Sequence, residues 1–251
     1  MKTDNLLTTT DQMGREVSFL YPPKRIVSLV PSQTEFLLDI GASLVGRTKF
    51  CIHPQSKVQE IPIIGGTKNV QLQKIEELRA DLIIGNKEEN DKEGILQLAK
   101  DFPVWMSDIH TLDDAFEMMT ALAYLCNLER RGRQIVSECR KATECVKNTK
   151  AGTVLYLIWQ NPWMAAGKYT FIDHLLCQLG YENVIKRERY PMLTNEDITN
   201  LNPDHILLSS EPYPFEEKQL DLVTNLWPNT SCLLVNGELY SWYGSRLRSW
   251  A

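Results

Sequence analysis

The feature that most constrains the fold of this chain is a short stretch that occurs twice. Residues 80–89 read ADLIIGNKEE, and residues 203–212 read PDHILLSSEP. Five pairs match at a single offset of 123 residues: Asp81 and Asp204, Ile83 and Ile206, Glu88 and Glu211, Ile75 and Ile198, Leu78 and Leu201. Each copy has the pattern of a helix end, a short turn, a buried strand and a polar loop. Two similar α/β units would explain the repeat, although chance similarity between two strand–helix units stays open.

Short runs rich in Ile and Val alternate with helical patterns along most of the chain. Nearly continuous apolar runs of this length are typical of strands that are covered on both faces in a parallel sheet. Strand-then-helix order, repeated in this way, predicts an α/β fold. The predicted strands are 25–30, 44–48, 61–64, 81–85, 102–106, 153–159, 204–209 and 232–235.

Four short motifs predict where helices begin. In each, a Ser or Thr would cap the helix and an acidic side chain three positions later would reach back to the cap. The first is SQTE, in which Ser32 is the cap and Glu35 is its partner. The other three motifs are TLDD at 111–114, TFID at 170–173 and TNED at 194–197.

The middle of the chain, from Thr111 to Lys147, shows helical patterns and no strand pattern. Asn127 and Gly132 predict a break between two helices. The apolar face of the first helix is Leu112, Ala115, Phe116, Met119, Leu122 and Cys126, and that of the second is Ile135, Cys139, Ala142 and Val146. The second helix would have about 18 residues and a length of roughly 27 Å, enough to link two lobes. We therefore expect an N-terminal lobe at 1–110, a helical linker at 111–150 and a C-terminal lobe at 151–251.

Composition and charge argue against several kinds of partner. The 251 residues are 43% hydrophobic and 24% charged, with a net charge of −5 and no basic stripe for nucleic acid. The longest apolar runs are too short to cross a bilayer. The first 19 residues lack the apolar stretch of a signal peptide, so we expect a cytoplasmic protein, or a periplasmic one if an export signal was trimmed. Six cysteines without a CxxC pair favour buried free thiols in a reducing compartment.

Several stretches carry a resemblance to a known family, in the same order over nearly the whole chain. They are RIVSLVPSQTEFLLDIGASLVGRTKFCIHP (25–54), IGGTKNV (64–70), LRADLIIGNKEEN (78–90), GKYTFIDHLLCQLGYENVI (167–185), LLSSEPYPF (207–215) and NGELYSWYGSR (236–246). The chain resembles ABC-importer substrate-binding proteins with a rigid helical backbone, especially the cobalamin-binding branch. The resemblance implies a binding protein, not an enzyme, with two Rossmann-like lobes and little hinge motion. It also implies one bulky ligand in a cleft between the lobes: cobalamin or another corrinoid, a ferric siderophore or haem.

Nine residues are predicted to contact this ligand, and none is predicted to be catalytic or to bind a metal. Aromatic faces suit a flat macrocycle because they bury a large apolar area, and an arginine can fork onto a carboxylate or phosphate. Each residue type also has a purely structural alternative. The tryptophans could lie at the rim of the core, the lysine could be solvated, and the carboxylates could cap loops. The nine are Thr67, Lys68, Asn86, Glu88, Trp163, Glu211, Trp242, Tyr243 and Arg246. Trp159 is assigned to the core.

The chain departs from the family in two respects: a signal peptide is missing from the sequence, and the residues for docking on a permease differ. Exported members carry a surface glutamate on each lobe that pairs with arginines of the membrane permease, and those positions hold Gln73 and Cys177 here. Glu76, Glu77 or Asp173 would have to replace them. Docking on an ABC permease is therefore doubtful, no nucleic-acid partner is expected, and a monomer is expected. The alternative function is a small-molecule-modifying enzyme on a Rossmann-like fold, but the chain lacks the G-x-G-x-x-G turn after its first predicted strand.

Overall fold

The computed structural model describes residues 5–145 and 150–250, which divide into two compact units. Unit 1 comprises Met1–Ile109, Asp113–Arg140 and Tyr243–Arg248, and unit 2 comprises His110–Leu112, Lys141–Trp242 and Ser249–Ala251. The predicted lobe limits at 110 and 151 remain predictions. Val146 and Lys147 of the predicted linker helix lie outside the described residues.

Unit 1 is built on a four-stranded parallel sheet. Its strands are β3 (Ile26–Ser28), β4 (Leu44–Arg47), β5 (Leu82–Asn86) and β6 (Val104–Ser107), after an antiparallel hairpin of β1 (Leu6–Thr10) and β2 (Glu16–Leu20). The sheet order is β4–β3–β5–β6, and its neighbouring strands are parallel. The helices between the strands are α1 (Pro31–Ile40), α2 (Gln55–Val58), α3 (Leu72–Glu77) and α4 (Lys92–Leu98). Nearly every residue of β3, β5 and β6 is buried, as a sheet covered on both faces requires.

Unit 2 has a mixed sheet with a parallel centre. Its strands are β7 (Gly152–Trp159), β8 (Trp163–Ala165), β9 (Tyr181–Asn183), β10 (Met192–Leu193), β11 (His205–Ser209) and β12 (Ser231–Val235). The order is β10–β8–β7–β11–β12; β9 pairs with the first residues of β7, and β8 pairs with the last ones. Strands β9, β11 and β12 run parallel to their neighbours, whereas β8 and β10 are antiparallel. The helices are α7 (Phe171–Gln178), α8 (Asn195–Asn200), α9 (Glu217–Leu226) and α10 (Gly237–Ser241). A 3₁₀-helix follows (Ser245–Trp250), and its residues up to Arg248 belong to unit 1.

The central strand of unit 2 divides the core of that unit into two layers. Leu155 and Leu157 pack into one cluster with Val223 of α9, whereas Tyr156 packs into the other cluster with Leu176 of α7. Successive strand side chains point to opposite faces, so a fully buried strand supplies apolar residues at every position. This explains the uninterrupted run of apolar residues that predicted this strand.

The internal repeat is present in the fold. Helix α8 and strand β11 begin and end 123 residues after helix α3 and strand β5, respectively. The Asp81 carboxylate accepts the backbone N–H groups of Lys24 and Arg25 at 2.6 and 2.9 Å, just before β3. The Asp204 carboxylate accepts the N–H and hydroxyl of Thr153 at 2.7 and 2.8 Å, at the start of β7. Each aspartate therefore ties its own strand to the start of the neighbouring parallel strand, which confirms the predicted equivalence of the two.

The helical middle consists of α5 (Leu112–Leu125) and α6 (Glu129–Cys145). Asn127 adopts a positive φ of 57° between them, so the predicted break is right at this position and wrong at Gly132. A Cβ at Gly132 would lie 2.2 Å from the Cβ of Ala123, so the glycine lets the two helices pack closely. The predicted apolar residues are buried, except Val146, which is not described. Within the described ranges, no helix has both the length and the apolar character that crossing a membrane requires.

Two predictions about local structure are wrong. Residues 61–64 do not form a strand: only Ile63 pairs, in an isolated bridge with Arg47, and Pro62 has no N–H to donate to a ladder. The capping box at 32–35 is also absent, because helix α1 begins at Pro31 with Val30 as its N-cap. Seven of the eight predicted strands are present, whereas the N-terminal hairpin and strands β8, β9 and β10 were not predicted.

Two of the other three predicted N-caps, Thr170 and Thr194, are present, and the cap at Thr111 stays a prediction. The Thr194 hydroxyl accepts the Asp197 N–H, and the Asp197 carboxylate accepts the Thr194 N–H, so this capping box is confirmed. The Thr170 hydroxyl accepts the N–H of Asp173, as the motif predicts. The Asp173 carboxylate instead accepts hydrogen bonds from Lys168 at 3.1 Å and from Asn183 at 2.9 Å.

Candidate functional site

Unit 2 presents a row of four aromatic side chains where β7, β8 and β11 meet their loops. We define the aromatic row as Trp159, Tyr213, Phe215 and Trp163. The ring of Trp159 meets that of Tyr213 edge-on at 5.5 Å, and Tyr213 meets Phe215 at 4.8 Å. Trp163 stacks parallel to Phe215, with centroids 6.2 Å apart. Ligands of open α/β sheets bind beyond the carboxyl ends of the strands, where this row lies.

The sequence-based assignment of Trp159 to the core is wrong. Trp159 is the last residue of β7 and 38% of it is exposed, whereas Phe215 is only 5% exposed and forms the base of the row. The Tyr213 hydroxyl donates to Gln160 Oε1 at 3.2 Å and accepts from Gln219 Nε2 at 3.1 Å. These two bonds fix the orientation of the Tyr213 ring.

Glu211 and Trp242 are in contact in unit 2. The carboxylate of Glu211 accepts hydrogen bonds from the indole N–H of Trp242, at 3.0 Å, and from the Ser241 hydroxyl. Trp242 is 6% exposed. The structure thus places both predicted contacts in a network that attaches the end of α10 to the loop after β11.

A buried polar chain supports that loop from inside unit 2. The Tyr156 hydroxyl donates to Ser209 Oγ at 3.1 Å, and the Ser209 hydroxyl donates to the carbonyl of Glu211 at 2.6 Å. Burial raises the pKa of the Tyr156 hydroxyl far above its ordinary value, so this group stays protonated. A Cβ at Gly237 would lie 2.3 Å from Ser209 Oγ, so only glycine fits at the start of α10.

In unit 1, the predicted polar contacts form a bonded loop after β5. The Asn86 side-chain oxygen accepts the N–H groups of Glu88 and Glu89 at 2.8 and 3.1 Å, and its amide donates to Ser107 Oγ at 3.0 Å. Asn86 is 2% exposed. Lys68 is exposed and donates to the carbonyl of Glu88.

Asn90 links this loop to the segment that contains Thr67. Its amide donates to the carbonyl of Thr67 at 3.0 Å, and its side-chain oxygen accepts the Asn86 N–H at 2.8 Å. The structure therefore brings Thr67, Lys68, Asn86 and Glu88 together in unit 1. Glu88 is half-buried, as is Thr67.

Arg246 forms a bidentate ion pair with a carboxylate of its own chain. Its Nη2 lies 2.6 Å from Glu35 Oε1 and its Nε lies 3.1 Å from Glu35 Oε2, within unit 1. Two residues on, Arg248 pairs with Asp39, one turn further along α1. Glu35 was predicted to be part of a helix cap with Ser32. It instead anchors the C-terminal segment through Arg246. The neighbouring Tyr243 is 6% exposed.

The described part of the chain shows no cluster of side chains that could hold a metal ion. Among residues 5–145 and 150–250, no three His, Cys, Asp or Glu side chains come together as a metal site would require. Cys51, Cys126 and Cys139 are buried, whereas Cys177 is exposed and Cys232 is half-buried. Burial raises the pKa of the Cys126 and Cys139 thiols to about 12, so both stay neutral.

Sequence reasoning missed three members of the aromatic row and one aromatic residue of unit 1. Tyr213 and Phe215 follow the second copy of the repeat in the stretch YPF, which was quoted only for its resemblance to the family. Phe50 lies three residues after β4 and is 50% exposed, with the Lys49 ammonium 4.9 Å from its ring centre. An aromatic residue at or shortly after a predicted strand end was the available signal at these positions.

Comparisons with known proteins agree with this architecture. Residues 26–224 match the family described as Periplasmic binding protein. The uncharacterized ABC transporter substrate-binding lipoprotein YvrC of Bacillus subtilis is 25% identical over 219 residues, which cover 80% of this chain and 68% of that protein.

Two solved structures share the fold. The periplasmic vitamin B12 binding protein BtuF of Vibrio cholerae superposes with a TM-score of 0.79 at 18% identity, over 91% of this chain and 94% of that one. The periplasmic haem-binding protein RhuT of Roseiflexus sp. RS-1, in its apo form, gives a TM-score of 0.79 at 19% identity, over 90% of this chain and 94% of that one.

The family match decides between the two functions that the sequence left open. It spans residues 26–224, which include both copies of the repeat and strands of both sheets. The α/β fold class is confirmed, and the alternative of a small-molecule-modifying enzyme is wrong. This chain belongs to the periplasmic binding protein family, as a substrate-binding protein of the ABC-importer type.

Proposed function

We propose that the protein binds a bulky, flat metal chelate, with cobalamin or another corrinoid as the first candidate and haem or a ferric siderophore as the alternatives. The observation that carries this proposal is the aromatic row of unit 2. A row of two indoles and a phenol over a buried Phe215 suits a macrocycle, because aromatic faces bury a large apolar area without needing a charged ligand.

The similar proteins support the choice of ligand class. The Vibrio cholerae structure is of a vitamin B12 binding protein and the Roseiflexus structure is of a haem-binding protein. Both ligands are metal macrocycles with large apolar faces and polar edges. In this chain the metal would arrive with the ligand as cargo, and the protein would supply aromatic faces and hydrogen-bonding groups.

Unit 1 offers polar groups and Phe50 at its own strand ends. Lys68 is an exposed cation, and Thr67 and Glu88 lie beside it in the bonded loop. We infer that these three groups form a polar surface of unit 1 that suits hydrogen-bonding groups of a ligand. Asn86 and Arg246 contribute by holding their loops in place, because their side chains already bind Glu88, Ser107 and Glu35.

Titration of the purified chain tests the proposal. Hydroxocobalamin, cobinamide, haemin and a ferric siderophore are added separately, and binding is measured by calorimetry and by quenching of tryptophan fluorescence. We expect one of them to bind with a stoichiometry of one and to be recovered unchanged. Equally weak binding of all four, or chemical conversion of any of them, would refute the proposal.

We also propose that the chain docks poorly on an ABC permease. Gln73 on α3 and Cys177 on α7 are both exposed, so the two positions lie at the surface but carry no charge. Asp173 cannot replace the missing carboxylate, because it is 8% exposed and bound to Lys168 and Asn183. Glu76 and Glu77 are exposed and remain available. Charge pairs at such interfaces steer association, so their loss weakens docking.

A reconstituted cobalamin importer measures this docking through its ATPase activity. We expect little stimulation by the unaltered liganded protein and a clear rise when Gln73→Glu and Cys177→Glu are combined. The matched control is Lys218→Glu on α9, which adds negative charge on another exposed helix. Strong stimulation by the unaltered protein would contradict the proposal.

We propose a cytoplasmic location, and one structural feature supports it. Cys177 is an exposed free thiol, and exposed free thiols persist in reducing compartments. The similar proteins named above are described as periplasmic or as a lipoprotein. Fractionation of cells that express the gene from its native start site distinguishes the two locations.

A further inference from the structure

Tyr169 is exposed on unit 2, two residues before helix α7 begins at Phe171. It is 66% exposed, and no other large apolar or aromatic residue in the described part of the chain is more exposed. A tyrosine ring buries a large apolar area when another surface covers it, and this gain is lost while the ring stays in water. A single exposed aromatic residue is ordinary on a protein surface, but the backbone of Tyr169 is not.

The backbone of Tyr169 adopts the left-handed conformation, with a φ of 60°. Residues with bulky side chains rarely adopt a positive φ, because Cβ then crowds the backbone, whereas glycine does so without a steric cost. Other residues held in this region are concentrated at ligand sites, where the strain has a functional use. The chain thus carries a large aromatic side chain at a position where glycine would be under less strain.

Hydrogen bonds within unit 2 hold the backbone of Tyr169 in this conformation. Its carbonyl accepts hydrogen bonds from Arg189 Nη1 at 3.0 Å and from His110 Nδ1 at 3.1 Å. The Arg189 N–H also donates to the carbonyl of the preceding residue, Lys168, at 2.8 Å. All three bonds use the backbone of the segment as acceptor. The position of the exposed ring is therefore set by the backbone and not by burial of the ring.

Tyr169 belongs to the α7 side of the unit 2 sheet, whereas the aromatic row belongs to the α9 side. The row packs with Leu155 and Leu157, and α7 packs in the cluster of Tyr156. Helix α7 connects Ala166, whose N–H donates to the Tyr156 carbonyl, to β9, which pairs with the first residues of β7. The helix therefore begins toward the carboxyl ends of the strands, where ligands of α/β sheets bind.

We propose that Tyr169 is a further ligand-binding residue of unit 2, and that its ring covers an apolar face of the bound metal chelate. The aromatic row contacts the chelate from the α9 side of the sheet, and Tyr169 contacts it from the α7 side. A bulky ligand beyond the strand ends then meets aromatic surface on both sides, and covering the ring offsets the strain of the left-handed backbone. This inference rests on the proposed function and adds a contact outside the aromatic row.

Chemical modification of tyrosine hydroxyls tests this contact on the unaltered chain. The protein is treated with N-acetylimidazole, alone or saturated with whichever of hydroxocobalamin and haemin it binds more tightly, and mass spectrometry measures acetylation at each tyrosine. We expect the chelate to slow acetylation of Tyr169 at least about threefold, because a bound ligand buries most of its surface against its contacts. Tyr124 on α5, which is 45% exposed, is the matched control and should be acetylated at the same rate in both samples.

Substitutions separate the role of the ring from that of the backbone. Tyr169→Ala and Tyr169→Gly should each raise the Kd for the same chelate at least about fivefold in calorimetry, since both remove the ring. Tyr124→Ala should leave this Kd unchanged. Tyr169→Gly should unfold at a higher urea concentration than Tyr169→Ala, because glycine adopts a positive φ without strain.

The outcomes distinguish a failure of this contact from a failure of the proposed function. Equal acetylation of Tyr169 with and without bound chelate overturns the contact and leaves the proposed function intact. So does a Tyr169→Ala variant that binds as tightly as the unaltered chain, whether or not it loses stability. If the unaltered chain binds neither hydroxocobalamin nor haemin, the contact with a macrocyclic chelate is overturned together with the preferred ligands of the proposed function.

Discussion

The loops after β5 and β11 occupy equivalent places in the repeat, yet they carry different chemistry. In unit 1, Asn86 at the strand end accepts the N–H of Glu88 at 2.8 Å. In unit 2, Ser209 occupies the matching position, and its hydroxyl oxygen accepts the N–H of Glu211 at 3.3 Å. The backbone turn is thus stabilised in the same way in both loops, by a short polar side chain at the last residue of the strand.

The two loops diverge beyond this shared turn. In unit 1, Asn90 and Lys68 extend the polar network. In unit 2, the matching stretch leads into Tyr213 and Phe215, which form the aromatic row. The comparison shows that a strand-end turn needs only one polar side chain to fix its backbone. The residues that follow are then free to provide a polar surface in one unit and an aromatic one in the other.

The largest effect should come from removing the base of the aromatic row. Phe215→Ala should lower the free energy of unfolding by about 3–5 kcal/mol, because the deletion leaves a cavity beneath Trp163 and Tyr213. The exposed Trp159 is the contrast, and Trp159→Ala should cost less than about 1 kcal/mol. Urea unfolding measures both. Equal losses of stability in the two variants would show that Trp159 is packed as tightly as Phe215. The aromatic row would then be ordinary core and not a displayed surface.

Deletion of the two turn-forming side chains compares the loops directly. Asn86→Ala should lower the free energy of unfolding by about 2–3 kcal/mol, because two N–H groups lose their acceptor in a buried site and Ser107 loses a donor. Ser209→Ala should cost about 1–3 kcal/mol, because the buried Tyr156 hydroxyl loses its acceptor and the Glu211 N–H loses its partner. If Asn86→Ala spares stability but abolishes ligand binding, Asn86 is a ligand contact and not a loop support.

Ligand affinity should depend more on the aromatic loop than on the polar one. Trp163→Ala should weaken binding of the best chelate by about 1–3 kcal/mol, roughly a 5- to 150-fold rise in Kd. Lys68→Ala should raise Kd less than about 5-fold, because an exposed cation contributes little in water. Calorimetry on folded protein measures both values. A larger loss of affinity in Lys68→Ala than in Trp163→Ala would show that unit 1 contributes more to ligand binding than the aromatic row.

The smallest effect concerns acid stability at the start of the strands. The Thr153 N–H and hydroxyl hold the pKa of the Asp204 carboxyl below its ordinary value. The Asp204 carboxylate contributes to the free energy of unfolding above its pKa in the unfolded chain, which is about 3.9. This contribution disappears as pH falls through the lower pKa that the group has in the folded protein. Asp204→Asn should therefore be less stable near neutral pH and lose less stability on acidification.

Urea unfolding at several pH values measures this difference, with Asp221→Asn on the exposed face of α9 as the control. Asp197, whose pKa is also lowered by the Thr194 cap, contributes a similar acid dependence in both proteins. An acid profile of Asp204→Asn that matches the original protein would show that the contacts of Asp204 stabilise nothing.

Seven of the strands, the caps at Thr170 and Thr194 and the internal repeat follow from the sequence. The apolar run 153–159 predicts a buried strand, and Thr194 caps its helix through an N–H only three residues away. These features depend on neighbours in the chain, so local physical chemistry is sufficient. The equivalence of Asp81 and Asp204 also followed, because both precede a buried strand at the same offset.

Contacts between segments that are far apart in the chain determine which side chains are bound within the protein and which are exposed. Glu35 was expected to reach back to Ser32, but Arg246 lies 211 residues away in sequence and provides a stronger, two-point partner. Trp159 ends an apolar strand and was expected in the core, yet its side chain is 38% exposed and its ring meets that of Tyr213. Trp242, predicted to contact the ligand, is 6% exposed and donates its indole N–H to Glu211. Periodicity fixes which face of a strand is apolar, but burial at the strand's end depends on segments that fold back from far along the chain.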